Sequence, residues 1–337
     1  MNIIKFAAIG TGMITEKFIS EAEKVDGFKL HAMYSREEVK AREFAEKYRA
    51  ETIYTDLNRL SQDRNIDAVY IASPNSLHFS QVMKMLSSGK HVLCEKSIAS
   101  NLKEAERLYE EARKNNLVLL EELRTLHDPK LEIIKRNFAK LGNIRGATIN
   151  FCQYSSKYDA FKNGERMNIF NLEYSAGALM DIGVYCVNIM LELFGYPETI
   201  KSESVMLRGD IDGAGTIIAG YNDKIVNLHF SKITNSYLPS EIIGENGSML
   251  IQNIVNPSDV RIKYNNQDDE EIYMEKYAWN IRFAVKKFID FIDSVGKDDS
   301  ELIYYNNISM HALKIMDSVR AENGIIFPAD SKELFEV

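Results

Sequence analysis

The chain has 337 residues, 45% of them hydrophobic and 27% charged, the composition of a soluble globular protein with material for two domains at about 150 residues each. Lys and Arg number 41 against 49 Asp and Glu, a formal net charge of −8, so the basic footprint of a nucleic-acid binder is absent. No apolar run nears the roughly 18 residues that span a bilayer, and the opening stretch lacks the long core and cleavage site of a signal peptide. The expectation is a cytoplasmic protein with neither membrane nor nucleic acid as partner. Cys94, Cys152 and Cys186 are odd in number and far apart, which argues against a disulfide framework. The six histidines show no zinc-like spacing, so no metal is expected.

In chain order, the first 120 residues alternate between two periodicities. Ile3 to Ile9 reads as a buried strand, Glu16 to Lys24 as a helix, Phe28 to Tyr34 as a strand and Glu37 to Tyr48 as a helix. Strands at Asp67 to Ala72, His91 to Cys94 and Leu117 to Leu120 alternate with helices at Ser76 to Ser88 and Leu102 to Asn115. This rhythm predicts a doubly wound parallel sheet. After a helix from Pro129 to Lys140, the rhythm changes. A strand at Arg145 to Tyr154 and a helix at Gly177 to Phe194 precede several strands between Glu198 and Met274, separated by Asp-Gly and Asn-rich turns. Helices at Ala278 to Val295 and Asn306 to Glu322 close the chain. The second half therefore reads as an α+β domain with a predominantly antiparallel sheet. The predicted domains are 1–122 and 123–337.

Gly10-Thr11-Gly12-Met13-Ile14-Thr15 joins the first strand to the first helix. The first glycine suits a tight turn, and the second lets backbone approach a pyrophosphate at the helix N-terminus. Thr15 takes the place of the third glycine. The acid that usually ends the second strand and binds the ribose hydroxyls of NAD is replaced by Tyr34-Ser35-Arg36. Ser35 and Arg36 suit a 2′-phosphate through charge-assisted hydrogen bonds, which favours NADP over NAD. At the same sheet edge, Ser73, Pro74, Asn75 and His78 follow one strand, and Glu95 and Lys96 follow the next. Asp181 and Tyr185, four apart in an apolar helix, share one face, and a carboxylate in such a helix needs a partner.

Gly10-Thr11-Gly12, the run Asp67 to His78, the run Gly89 to Lys96 and the run Gly177 to Tyr185 together resemble the glucose–fructose oxidoreductase, inositol dehydrogenase and rhizopine catabolism (Gfo/Idh/MocA) family. The similarity extends over essentially the whole chain, and Tyr at 185 resembles the branch of the dimeric dihydrodiol dehydrogenases. The resemblance implies a Rossmann domain followed by a domain with a large open sheet that mediates homodimers or dimers of dimers. It also implies reversible hydride transfer between NAD(P) and a carbinol or carbonyl carbon of a sugar, polyol or dihydrodiol. Carried over by position, Lys96 lies near the nicotinamide and Asp181 and Tyr185 belong to the catalytic helix. Glu95 and the residues from Ser73 to His78 take cofactor-facing positions. Ser97 stands where the family motif has proline.

On this reading Tyr185 or Lys96 exchanges the hydroxyl proton, and Asp181 orients the pair. Gln153, Tyr154, Lys157 and Tyr158, which leave the first strand of the second domain, are substrate-contact candidates, as are Arg124 and His127 at the domain junction; this polar set suits a sugar or polyol. Two alternatives stay open: a redox-neutral NAD-dependent hydrolase or epimerase on the same scaffold, and a catalytically silent NAD(P) sensor.

Overall fold

The computed structural model describes residues 2–331. The chain divides into two compact units. The first holds residues 2–124 together with Trp279–Met310, and the second holds Thr125–Ala278 together with 311–331.

The first unit begins β1 (Ile4–Ile9), α1 (Met13–Ala22), β2 (Phe28–Tyr34), α2 (Glu38–Tyr48), β3 (Thr52–Tyr54) and α3 (Leu57–Gln62). It continues β4 (Ala68–Ile71), α4 (Asn75–Ser87), β5 (His91–Glu95), α5 (Leu102–Lys114) and β6 (Leu119–Glu122). The six strands pair in parallel in the order 3-2-1-4-5-6, the order of a dinucleotide-binding sheet whose switch point lies between β1 and β4. Strands covered on both faces read as near-continuous apolar runs, and β4, β5 and β6 are buried almost throughout. β3 and α3 lie between the predicted elements. Three half-buried residues and a six-residue helix are too short to carry a period, although Asp56 caps α3 by accepting the Asn58 N–H at 2.8 Å.

The second unit runs α6 (Pro129–Arg136), β7 (Ile144–Cys152), α7 (Tyr158–Lys162), a π turn (Leu179–Gly183) and α8 (Val184–Phe194). Then come β8 (Thr199–Leu207), β9 (Ile211–Gly220), β10 (Ile225–Ser231), β11 (Ser240–Gly244), β12 (Gly247–Gln252), β13 (Asp259–Tyr264) and β14 (Glu270–Ile272). Eight strands form one sheet in the order 14-13-12-11-7-10-9-8, antiparallel except between β7 and β10. Alternation assigns its faces. Ala147, Ile149, Ile217, Val226, Leu228, Phe230, Ile242 and Met249 are buried, while Val205, Ile218, Ile225 and Ile243 on the opposite face are exposed. The stretch Leu172–Phe194 is long and apolar enough to cross a membrane by composition, yet it is mostly buried in this unit.

α9 (Ile281–Ser294) and α10 (Ser300–Glu322) end the described fold. Here the division differs from the predicted 123–337 domain. Ile281, Val285, Phe288 and Ile289 form one buried stripe of α9 and share a core with Phe6, Phe18 and Tyr70 of the first unit; the Phe6 and Phe288 rings are 5.8 Å apart. The amphipathic spacing of α9 is legible in sequence, but it cannot say which sheet the stripe covers.

Candidate active site

The glycine turn is built for close approach. Gly10 has φ +118°, and a Cβ there would come within 2.9 Å of the Ala72 carbonyl oxygen, so only glycine fits. A Cβ on Gly12 would meet nothing within 4 Å. Gly12 is the N-cap of α1, so open space lies beside the unsatisfied N–H groups of that helix, Met13 and Ile14 among them. Thr15 is fully buried against Gly10, the close packing that the third glycine provides elsewhere. The residues present fit a dinucleotide pyrophosphate.

At the end of β2, the Ser35 hydroxyl accepts the Glu37 N–H at 3.2 Å. Glu37 and Glu38 are tied to Lys40 and Arg42 at 2.7 and 2.8 Å. Arg36 is exposed and makes no ion pair among the described residues. Its guanidinium is thus available to an anion, and the neighbouring acids are turned to their own partners.

The loops after β4 and β5 are joined by His78. Its ring nitrogens lie 2.8 Å from the carbonyl oxygens of Ser97 and Ser73, and its side chain is fully buried. Burial holds its pKa below the usual value. His78 therefore ties the two loop backbones together. Ser73 donates to Gln81 Oε1 at 2.8 Å, Pro74 caps α4 and Asn75 begins it. Lys96 is half-buried, and the Lys96–Ser97 peptide is cis.

Glu95 also has a buried partner: Tyr70, itself fully buried, donates its hydroxyl to Glu95 Oε1 at 2.7 Å. Beside it, β6 ends in two further buried acids. Glu121 accepts the Ile98 N–H at 2.9 Å, and burial pushes its carboxyl up to about 7. Glu122 is held well above the usual carboxylate range by burial and by the charge of Glu95. Arg124 stays in this unit, donating to Asn280 Oδ1 at 3.3 Å and lying over the Trp279 ring.

In the second unit, the helix carrying Asp181 and Tyr185 starts at a buried carboxylate. Asp212 Oδ2 accepts the Leu179 N–H at 2.6 Å and is fully buried, which pushes it up to about 6. A Cβ on Gly177, at φ +111°, would strike Asp212 Oδ1. Asp181 lies in the π turn, a feature frequent at functional sites, and pairs with Lys232. Tyr185 is buried, edge-on to Phe151 at 5.7 Å. Because β7 and β10 are parallel, their C-terminal ends share one edge of the sheet. There the Ser155 N–H donates to the Lys232 carbonyl at 2.9 Å, and the Gln153 N–H to that of Ser231 at 2.9 Å.

The other substrate candidates are spread along this exit. Gln153 and Lys157 are exposed. Tyr154 donates to Asp159 at 2.7 Å, and Tyr158 packs into a small cluster with Phe161 and Phe170. His127 is buried, away from solvent. Sequence reading missed Lys232, Asp212 and Glu122. A lysine just past an alternating strand looks like a surface residue, and only the paired acids ending the apolar run Leu117 to Leu120 were a visible anomaly.

Residues 4–123 match the oxidoreductase family with an NAD-binding Rossmann fold, and residues 138–250 match the GFO/IDH/MocA C-terminal domain. The chain is 39% identical to the scyllo-inositol 2-dehydrogenase (NADP(+)) IolU of Bacillus subtilis, over 97% of this chain and 99% of that one. The chain belongs to the Gfo/Idh/MocA family of oxidoreductases. The uncharacterized oxidoreductase YgjR of Escherichia coli is 36% identical over 98% of this chain and all of its own length. The trans-1,2-dihydrobenzene-1,2-diol dehydrogenase of Macaca fascicularis is 23% identical over 97% and 99% of the two chains. The fold matches that of KijD10, a 3-ketoreductase from Actinomadura kijaniata solved with NADP and TDP-benzene. The TM-score is 0.83 at 22% identity, over 95% of this chain and 98% of that one.

Proposed function

We propose that this Gfo/Idh/MocA oxidoreductase is an NADP-dependent dehydrogenase or reductase of a polyol or sugar carbinol, with Lys96, Asp181 and Tyr185 as its catalytic residues. The observation that carries the reading is the open cradle at Gly10 to Gly12 together with the exposed Arg36 at the end of β2, which makes no ion pair among the described residues. Similarity along the full length to an NADP-dependent scyllo-inositol dehydrogenase supports it. Bound, the cofactor supplies hydride chemistry at its nicotinamide ring. The backbone N–H groups after Gly12 hold the pyrophosphate, and Arg36 with Ser35 holds the 2′-phosphate. Tyr185 or Lys96 exchanges the proton of the substrate hydroxyl, and Asp181, held by Lys232, orients it. Gln153, Tyr154 and Lys157 supply polar contacts suited to a hydroxylated substrate.

The test is nicotinamide absorbance with purified protein, NADP or NAD, and a panel of inositols, sugars and dihydrodiols. Lys96→Ala and Tyr185→Phe should each lower kcat by about a hundredfold or more while leaving cofactor Kd within about threefold. Turnover near wild type from both variants would sink the assignment.

The exposed sheet face with Val205, Ile218, Ile225 and Ile243 supports a homo-oligomer in which that face covers a second copy of the chain. The three cysteines are all unbridged, which supports a cytoplasmic location.

A further inference from the structure

Glu95 ends β5 and Glu122 ends β6, and the two are register partners in that parallel pair. Their side chains therefore leave the sheet on the same face, on strands about 4.8 Å apart. Glu95 is 5% exposed and Glu122 1%, so water screens neither. They differ in partners. Glu95 accepts the Tyr70 hydroxyl, and the Tyr70 ring lies flat on Phe18 at 3.5 Å. Glu122 Oε1 has no hydrogen-bond partner among the described residues.

The charged and titratable groups around the pair can be named. Tyr70 comes from β4, Lys96 from beyond β5 and Arg124 from beyond β6. Glu121 alternates to the other face of β6, where it accepts the Ile98 N–H. From α1 and α9 the core residues are apolar, with Phe18, Ile281, Val285 and Phe288 among them. Two neighbouring carboxylates in so dry a place cannot both ionise, and they titrate as a pair. The donor hydroxyl of Tyr70 favours charge on Glu95, and the unpartnered oxygen leaves Glu122 as the neutral member. Burial raises both carboxyls, against the pull of Lys96 and Arg124.

Both acids stand at the carboxyl ends of the β4–β6 half of the sheet, the mononucleotide half opposite the one that carries Arg36. We propose that the Glu95–Glu122 pair holds one proton, on Glu122, in the free protein, and releases it to solvent on binding the oxidised, positively charged cofactor but not on binding the neutral reduced one. Glu122 then discriminates between the two oxidation states. Only the Glu122 O–H bond breaks, and no electron moves. The inference rests on the NADP-binding reading above.

The experiment compares NADP+ with NADPH, two probes that differ by one charge at the ring. Calorimetry in two buffers of different ionisation enthalpy counts protons, and fluorescence of Trp279, which lies under Arg124, gives Kd from about pH 6 to about pH 9. The expected result is about one proton released per NADP+ bound and none per NADPH. The NADP+ Kd then falls about tenfold per pH unit up to the pair's own titration in the free protein, while the NADPH Kd stays flat by comparison. Glu122→Gln keeps the shape, carries no proton, and should abolish both the release and the slope. Equal proton counts for the two nucleotides overturn the proposal, and that wild-type comparison stands even where the variant fails to fold. Undiminished release from a folded Glu122→Gln overturns it too. Failure to bind either nucleotide overturns it together with the cofactor reading, whereas equal proton counts with tight binding overturn it alone.

Discussion

Arg36 shows how a single side chain becomes available for binding. The turn after β2 places two acids immediately downstream, and either could neutralise it. Instead Glu37 reaches Lys40 and Glu38 reaches Arg42 at helical spacing, which leaves Arg36 exposed and unpaired among the described residues. A guanidinium in that state matches a phosphate bidentately, and a lysine does not substitute for it. Arg36→Ala should therefore raise KM for NADP about tenfold or more while changing KM for NAD by less than about threefold. Equal effects on the two cofactors, measured by initial rates, would remove Arg36 from cofactor choice. His78 and Glu95, polar residues at the same sheet edge, each hold a buried partner.

The helix that carries Asp181 and Tyr185 depends on one carboxylate that lies outside it. Asp212 accepts N–H groups at its first turn, satisfying donors that every helix start leaves open, and Gly177 is required because any Cβ would strike that carboxyl. Capping here carries a pH dependence. Burial raises the Asp212 carboxyl to about 6 from 3.8, so the folded state holds its proton more tightly than the unfolded chain does. Stability from this group is full below about pH 4 and is lost as pH rises through about 6, by about 3 kcal/mol for a shift of this size. Glu121, raised to about 7, extends the loss in the same direction. Asp212→Asn keeps the acceptor oxygen and removes the titration. Denaturant unfolding at about pH 5 and about pH 8 should show the loss between them shrink by roughly 1.4 kcal/mol in the variant. An unchanged difference would mean that Asp212 is not the titrating group.

At the scale of the molecule, the two sheets treat their faces differently. The parallel sheet is covered on both sides, and α9 returns late in the chain to complete that cover. The eight-stranded sheet buries one face and leaves Val205, Ile218, Ile225 and Ile243 exposed on the other. A row of exposed aliphatic side chains on a broad sheet is the surface on which the proposed homo-oligomer would form. The double substitution Ile218→Lys and Ile225→Lys introduces like charges at neighbouring positions of β9 and β10. It should shift the protein to monomer by sedimentation or light scattering, with the fold of the single chain retained. An unaltered mass in the variant would place any self-association elsewhere.

The alternation of strands and helices, the glycine turn and the missing acid after β2 were all legible in the residues, because short-range periodicity and turn chemistry are local properties. The same holds for the Asp181–Tyr185 spacing, although the turn there is π. Longer-range choices were not local. Nothing in the spacing of α9 says that its apolar stripe joins the first core, and nothing beside Lys232 announces Asp181 as its partner, 51 residues away in sequence. The pairing of Glu95 with Glu122 is likewise a matter of strand register across β5 and β6. Local sequence determined which elements form and where the glycine turn joins β1 to α1. Tertiary structure decided which buried charges meet, because burial and neighbourhood, which set the cost of a charge, exist only once the sheets have closed.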